Sequence, residues 1–304
     1  MLNVLLSAAV FGSALAAIEL ALRWCDWADP PIFCGDPRYG YLMRPHQSVS
    51  TRGRRFRINN VGLRGEDVST RCESERRLVF VGDSNTYGGG RIADDELFVN
   101  RIARGVSEVR RQRVSSVNVA APGWGVQNMA AFIAVNGAFE ADALIWIVPS
   151  ADFRRPLTSL HEFAFPEERP RSRLMYVVRS WARARQTRRR PWPGNRPAPE
   201  DILSANIDAL GDALRRLSGI PLLVVVLPGE HGYGRLANDV TRFKSVAQTH
   251  GASFAELAPV LQGRREERLF DDRVHLSARG HAVVTDAVIP VVVQMLSRSA
   301  PAQG

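Results

Sequence analysis

Leu78-Val79-Phe80-Val81-Gly82-Asp83-Ser84-Asn85-Thr86-Tyr87-Gly88 is the stretch that decides the fold. Four consecutive apolar residues read as a strand buried on both faces, as strands of a parallel sheet are. The strand breaks into a Gly-Asp-Ser turn, so Ser84 sits just past its C-terminal end. Open α/β sheets bind their ligands on that edge.

The same rhythm continues outward from this stretch. Further strands are predicted over residues 114–119, 143–148, 221–227 and 254–257. Between them lie helical patterns. One begins at Asp94-Asp95-Glu96 and turns Leu97, Phe98, Ile102, Val106 and Val109 inward. Others cover residues 126–139, 199–217 (ended by Gly219), 236–250 and 277–296, the last with Ser277 as N-cap. Strands and helices alternating through short loops imply a parallel sheet covered on both faces. The expected architecture is therefore a flavodoxin-like, three-layer α/β/α fold on a five-stranded parallel sheet. Ser84, Gly123 and Asp152 each follow a predicted strand and so share one sheet edge.

A second motif, Asp272-Arg273-Val274-His275, precedes the closing helix. A serine hydroxyl is a weak nucleophile unless an imidazole takes its proton and a third group orients that imidazole. Ser84 is the candidate nucleophile, His275 the base and Asp272 the orienting carboxylate. Asp271 fits the spacing less well. His281, on the closing helix, is read as a packed residue. Attack on a carbonyl also needs N–H donors for the developing oxyanion. The backbone N–H of Ser84 is one candidate and that of Gly123 the second, since a glycine lets backbone approach substrate closely.

The Gly-Asp-Ser turn after a strand, with Asp-x-x-His before a final helix, resembles the SGNH (GDSL-like) hydrolase superfamily. The resemblance runs from about Leu78 to Met295. It implies the SGNH hydrolase fold and a Ser84/Asp272/His275 triad. In Asn118-Val119-Ala120-Ala121-Pro122-Gly123, the glycine resembles the family's second block. The third block usually reads Gly-x-Asn-Asp, its Asn donating to the oxyanion. Here the stretch is Pro149-Ser150-Ala151-Asp152, with Ala151 at the Asn position. Either another side chain serves (Ser150, Asn85 or Asn128), or catalysis is slow, or hydrolysis is lost. Asn85, Ser150 and Asp152 are thus candidate substrate-binding residues. Gly40-Tyr41-Leu42-Met43-Arg44-Pro45 and the Asn59–Gly65 stretch resemble membrane-anchored bacterial SGNH proteins, which often act on O-acyl groups of cell-surface polysaccharides.

Residues 2–22 are almost wholly apolar, interrupted by Asn3, two serines and Glu19. About 20 such residues span a bilayer. Ala14-Leu15-Ala16 is also a signal-peptidase pattern. Arg23-Trp24 and Trp27 follow as interfacial anchors. The expectation is a membrane anchor or signal segment over residues 1–24 and an extracytoplasmic chain beyond it, secreted if the segment is cleaved. Residues 25–75 read as a linker with a small β-element around Arg55–Asn59. Residues 76–298 form the catalytic domain, interrupted at 153–198, and residues 299–304 are a tail. The insertion carries nine arginines between Arg169 and Arg190 and an apolar stripe of Leu174, Tyr176, Val177, Val178 and Trp181. It is either a solvated flap or a lid meeting anionic glycan or membrane headgroups.

The formal charge of +9 comes almost entirely from arginine, with Lys244 the single lysine. No zinc-finger, RNP or homeodomain pattern accompanies it, so a nucleic-acid partner is not expected. Three cysteines, Cys25, Cys34 and Cys72, contain no C-x-x-C pair and argue against zinc. Cys25 and Cys34 either bridge or stay as thiols. No phosphate loop is present, and no cofactor or metal is expected. The expected activity is a serine esterase on an O-acyl, O-acetyl-type ester of a small molecule or cell-surface glycan, with a polysaccharide-assembly or acyl-transfer partner conceivable. The alternatives are an acyltransferase of the same fold and a non-catalytic glycan-binding scaffold.

Overall fold

The computed structural model describes residues 1–163, 165–189 and 198–298. An N-terminal helix, α1 (Leu2–Trp24), buries none of its residues and is long and apolar enough to cross a membrane. Two antiparallel hairpins follow, β1 (Phe33–Asp36) with β2 (Gly40–Met43) and β3 (Gln47–Thr51) with β4 (Arg54–Ile58).

Next come β5 (Arg76–Gly82), the single-turn α2 (Ser84–Tyr87), α3 (Phe98–Arg110), β6 (Val114–Ala120), α4 (Val126–Asn136) and β7 (Ala143–Pro149). The inserted α5 (Arg173–Arg189) leads to α6 (Pro199–Arg216), β8 (Leu222–Leu227), α7 (Ala237–Thr249), β9 (Ser253–Glu256), α8 (Ala258–Gln262) and α9 (Ala278–Arg298).

The five central strands are parallel in the order β6-β5-β7-β8-β9. Counted along the chain this is 2-1-3-4-5, the flavodoxin-like order. Side chains alternate across the sheet with period two. Val79, Val81, Leu144, Trp146, Val148, Val224 and Val226 face α4, α6 and α7. Leu78, Phe80, Ile145, Ile147, Leu223 and Val225 face α3 and α9. All of these are buried, which is why the strands read as unbroken apolar runs. The hairpins are part of this core: Phe33, Tyr41, Met43, Phe56 and Ile58 belong to the first of the two clusters.

Three expectations change in detail. Val109 is 61% exposed, because the buried stripe of α3 ends at Val106. The helix expected over residues 126–139 stops at Asn136, since Gly137, Phe139 and Glu140 all take positive φ. The helix expected from Asp94 starts at Phe98, and Glu96 instead accepts from the Ala93 N–H and from Arg54. Ser277 caps α9 as expected, its Oγ accepting from the Gly280 N–H at 3.1 Å. Cys25, Cys34 and Cys72 are exposed, unpaired thiols. Arg190 to Pro193 and the tail at 299–304 lie outside the described residues.

Candidate active site

Asp83 ends β5's turn and caps α2, its Oδ1 accepting from the Asn85 N–H at 2.9 Å. This single turn lifts Ser84 out of the sheet edge at the point where strand order reverses, between β5 and β7. Ser84 stays partly exposed while Asp83, Asn85, Thr86 and Tyr87 are buried. Gly82 has no room for a side chain, since a Cβ there would strike Thr86.

The loop before α9 brings the second motif to the same place. His275 Nε2 lies 3.1 Å from Ser84 Oγ. His275 Nδ1 lies 2.9 and 2.8 Å from the two carboxylate oxygens of Asp272. Asp272 Oδ1 also accepts from the Val274 and His275 N–H groups. Burial works against the charge on Asp272. The bonds from His275 and from the two backbone N–H groups outweigh it and hold the carboxyl well below its usual range. An anion facing Nδ1 fixes the tautomer that leaves Nε2 free to accept the serine proton.

Two further groups approach this centre. Asp83 Oδ2 lies 3.0 Å from Ser84 Oγ, so the hydroxyl proton has two acceptors in reach, this carboxylate and His275. Arg91 Nη1 is 2.8 Å from Asp272 Oδ2. Asp83 is the sequence neighbour of Ser84, whereas chain folding alone brings Arg91 to a residue 181 positions away.

Asn85 lines the cavity beside Ser84 and also braces the site. Its Nδ2 donates to the Val274 carbonyl and its Oδ1 accepts from the Leu276 N–H, so it clips the His275 loop to the serine turn. Asn128 is also committed, bonding Tyr39, Gly125 and Thr158. Ser150 is buried, and neither it nor Asp152 lines the cavity beside Ser84. Ala151, at the Asn position of the resembling block, is exposed.

Asp152 is fully buried and no hydrogen bond reaches its oxygens among the described residues. Arg155 Nε approaches Oδ1 at 3.1 Å as an ion pair. Burial pushes the Asp152 carboxyl well above its usual range against the pull of Arg155, and nearby Asp83 adds to the rise. His281 lines the same cavity as Ser84 but is held by α3. It stacks on Phe98, accepts from the Phe98 N–H at 3.2 Å, and burial brings it down to about 3.

Gly123 has φ +84° and is roofed by Phe163 and the Tyr41 hydroxyl, so any side chain there would collide. The N–H groups of Ser84 and Gly123 meet no acceptor among the described residues. The two N-terminal motifs hold these loops. Tyr41 Oη donates to the Pro122 carbonyl at 2.7 Å. Arg64, from the Asn59–Gly65 turn, is almost fully buried and donates to the carbonyls of Tyr87, Gly89 and Ile92 and to Asp94. A cavity of about 270 Å³ opens beside Ser84 and His275, with Arg52, Arg91, Gly89 and Pro122 in its wall.

No curated protein matches the chain. Among solved structures, it is similar to a two-domain esterase (CEX) active on acetylated mannans, at 12% identity and TM-score 0.49 over 75% of this chain and 51% of that one. It is similar to the aryl esterase of M. smegmatis, at 14% identity and TM-score 0.48 over 72% and 99%. A carbohydrate acetylesterase family member from Sinorhizobium meliloti is similar at 16% identity and TM-score 0.42 over 73% and 99%. At these scores the likenesses add nothing to what the sheet order and the sequence profile establish. That profile, of the GDSL-like Lipase/Acylhydrolase family, matches residues 80–283, from within β5 to the first turns of α9. The serine turn and the histidine loop both fall inside the match, and the chain belongs to this family of ester hydrolases.

Proposed function

We propose that the chain is a serine esterase working through an acyl-serine intermediate on a short O-acyl ester, of the O-acetyl type, carried by a cell-surface glycan. The observation that carries this reading is the continuous path from Ser84 Oγ through His275 to Asp272, at 3.1 and 2.8 Å. His275 Nε2 takes the hydroxyl proton as Ser84 Oγ attacks the ester carbonyl. The Ser84 and Gly123 N–H groups receive the oxyanion. His275 then protonates the leaving alkoxide, and the same imidazole activates water to release the acid. Asp272 keeps the imidazole oriented and stabilises its cation.

The cavity supports a short acyl group. At about 270 Å³, with Arg52 and Arg91 in its wall, the cavity has a size that suits a short acyl ester. The exposed, apolar α1 supports a membrane-anchored chain, or a secreted one if that segment is removed, and the reading places the site outside the cytoplasm.

The test is hydrolysis of p-nitrophenyl acetate by the detergent-solubilised full chain, beside Ser84→Ala and His275→Ala. Turnover abolished in both variants, with circular dichroism unchanged, is the expected result. A folded wild type that neither turns over nor reacts with a fluorophosphonate probe would refute the esterase reading and leave a binding role. Acyl transfer to an added glycan in excess of free acid would instead make the chain a transferase.

A further inference from the structure

Glu19 is the single charge inside the apolar run of α1, and the structure gives it a partner far along the chain. Its carboxylate accepts from Ser172 Oγ at 2.9 Å and from the N–H groups of Arg173 and Leu174 at 3.1 and 2.9 Å. It therefore caps the start of α5, while Arg23 pairs with it one turn on. Further bonds tie the same corner together. Arg173 reaches the carbonyls of Leu22 and Arg23, and both Arg169 and Arg173 pair with Asp29. Glu19 lies five residues from the end of α1, about 8 Å along its axis. When α1 spans a bilayer, α5 thus begins at headgroup depth.

The outer face of α5 suits that depth. Met175, Val178 and Trp181 recur every three residues and are 50, 51 and 57% exposed. Tyr176 and Ser180, on the opposite side, are partly covered by the protein. Arg179 is exposed beside the apolar face, and the Arg185 guanidinium lies 3.9 Å over the Trp181 ring. From Arg169 to Arg189 there are eight arginines and no Asp or Glu. A helix with large apolar side chains on one face and arginines around them is built for the boundary between acyl chains and anionic headgroups. A soluble polyanion would meet the arginines but leave the three apolar side chains in water.

We propose that α5 is an interfacial helix that lies on an anionic bilayer beside α1, with Met175, Val178 and Trp181 in the acyl–headgroup boundary and Arg179 and Arg185 on lipid phosphates. The inference rests on the anchored reading above. It adds that the insertion, and not α1 alone, sets how the active site stands over the membrane.

The experiment uses the full chain with Cys25, Cys34 and Cys72 changed to Ser and an NBD fluorophore on Val178→Cys. The protein is reconstituted into phosphatidylcholine vesicles with and without phosphatidylglycerol. Blue-shifted emission, quenched by brominated lipid and stronger with phosphatidylglycerol, is expected. Arg179→Gln and Arg185→Gln should each lower the ratio of inserted to free helix about five-fold, with p-nitrophenyl acetate hydrolysis unchanged. A label on Met175→Cys repeats the measurement, so that a local fault at position 178 cannot decide it. Alkaline extraction separates the two readings. A chain that resists extraction while both labels report water overturns the α5 proposal and leaves the anchor standing. A chain that is extracted, yet whose labels are quenched by lipid beforehand, upholds α5 and removes the anchor. A shift produced by heparin but not by vesicles overturns the lipid assignment in favour of a soluble polyanion.

Discussion

Around Ser84 the loops are bound by hydrogen bonds: Asn85 to the His275 loop, Tyr41 to Pro122, Arg64 to the carbonyls of Tyr87 at the end of α2 and of Gly89 and Ile92 after it. Across the switch point, the segment after β7 exposes Ala151 and buries the Asp152 carboxylate without a hydrogen bond among the described residues. The first side is over-determined, as a preorganised catalytic centre must be. The second keeps the fold of the site but not its usual donor. The difference teaches that one half of an active site can hold its geometry while the other departs, because the two halves hang on different strands and are braced by different loops.

The comparison breaks most sharply at the triad. Asp272→Asn keeps the size and loses the anion, so the imidazole can settle in the wrong tautomer. The expected loss in kcat is about ten-thousand-fold with unchanged secondary structure, and steady-state hydrolysis of p-nitrophenyl acetate measures it. A loss under tenfold would show that Arg91 and the backbone, not the carboxylate, position His275.

The brace comes next. Arg64→Leu takes the donor from two buried carbonyls, Tyr87 and Ile92, and from the part-buried Gly89 carbonyl. It should cost roughly 3 kcal/mol or more in chemical denaturation and lower kcat as the Ser84 turn loosens. Ala151→Asn sharpens the comparison from the other side. Restoring a donor to the oxyanion site should raise kcat by roughly tenfold or more, with KM little changed. If it does not, the β7 side has moved too far for an Asn to reach.

The smallest effect is at Asp152. Its folded carboxyl titrates above the unfolded value, so acidification adds a proton to the native state first. Stability from this group therefore rises as pH falls from its folded value toward the unfolded one near about 4. Asp152→Asn lacks that term. The Tm of wild type relative to the variant should climb as pH is lowered through this window. A flat difference would mean that Arg155 keeps Asp152 ionised.

How much of this was legible depends on where the determining contact lies. The five strands were readable because both faces of each are buried, which leaves continuous apolar runs. Ser277 as N-cap was readable because the cap and its partner are three residues apart. Helix ends were less so. Nothing in apolar periodicity marks Phe139 as left-handed, and nothing says where the stripe on α3 stops short of Val109. In the site, Asn85 stands beside Ser84 in sequence, but nothing local shows that its amide also bonds residues 189 and 191 positions away. Glu19 looked like a flaw in an apolar helix and is instead a cap on another.

By itself, then, the sequence determined the α/β class, the strand-end location of Ser84, and the Asp272–His275 pair, because each is encoded by neighbours within a few residues. Tertiary structure alone decided that the serine and histidine meet, that the asparagines brace distant segments, that Arg64 supports the Ser84 turn, and that the arginine-rich helix stands at the end of α1. The physical reason is range. Periodicity and spacing record what a residue does within its own element, whereas desolvation and hydrogen bonding between distant segments depend on which surfaces the packed sheet brings together.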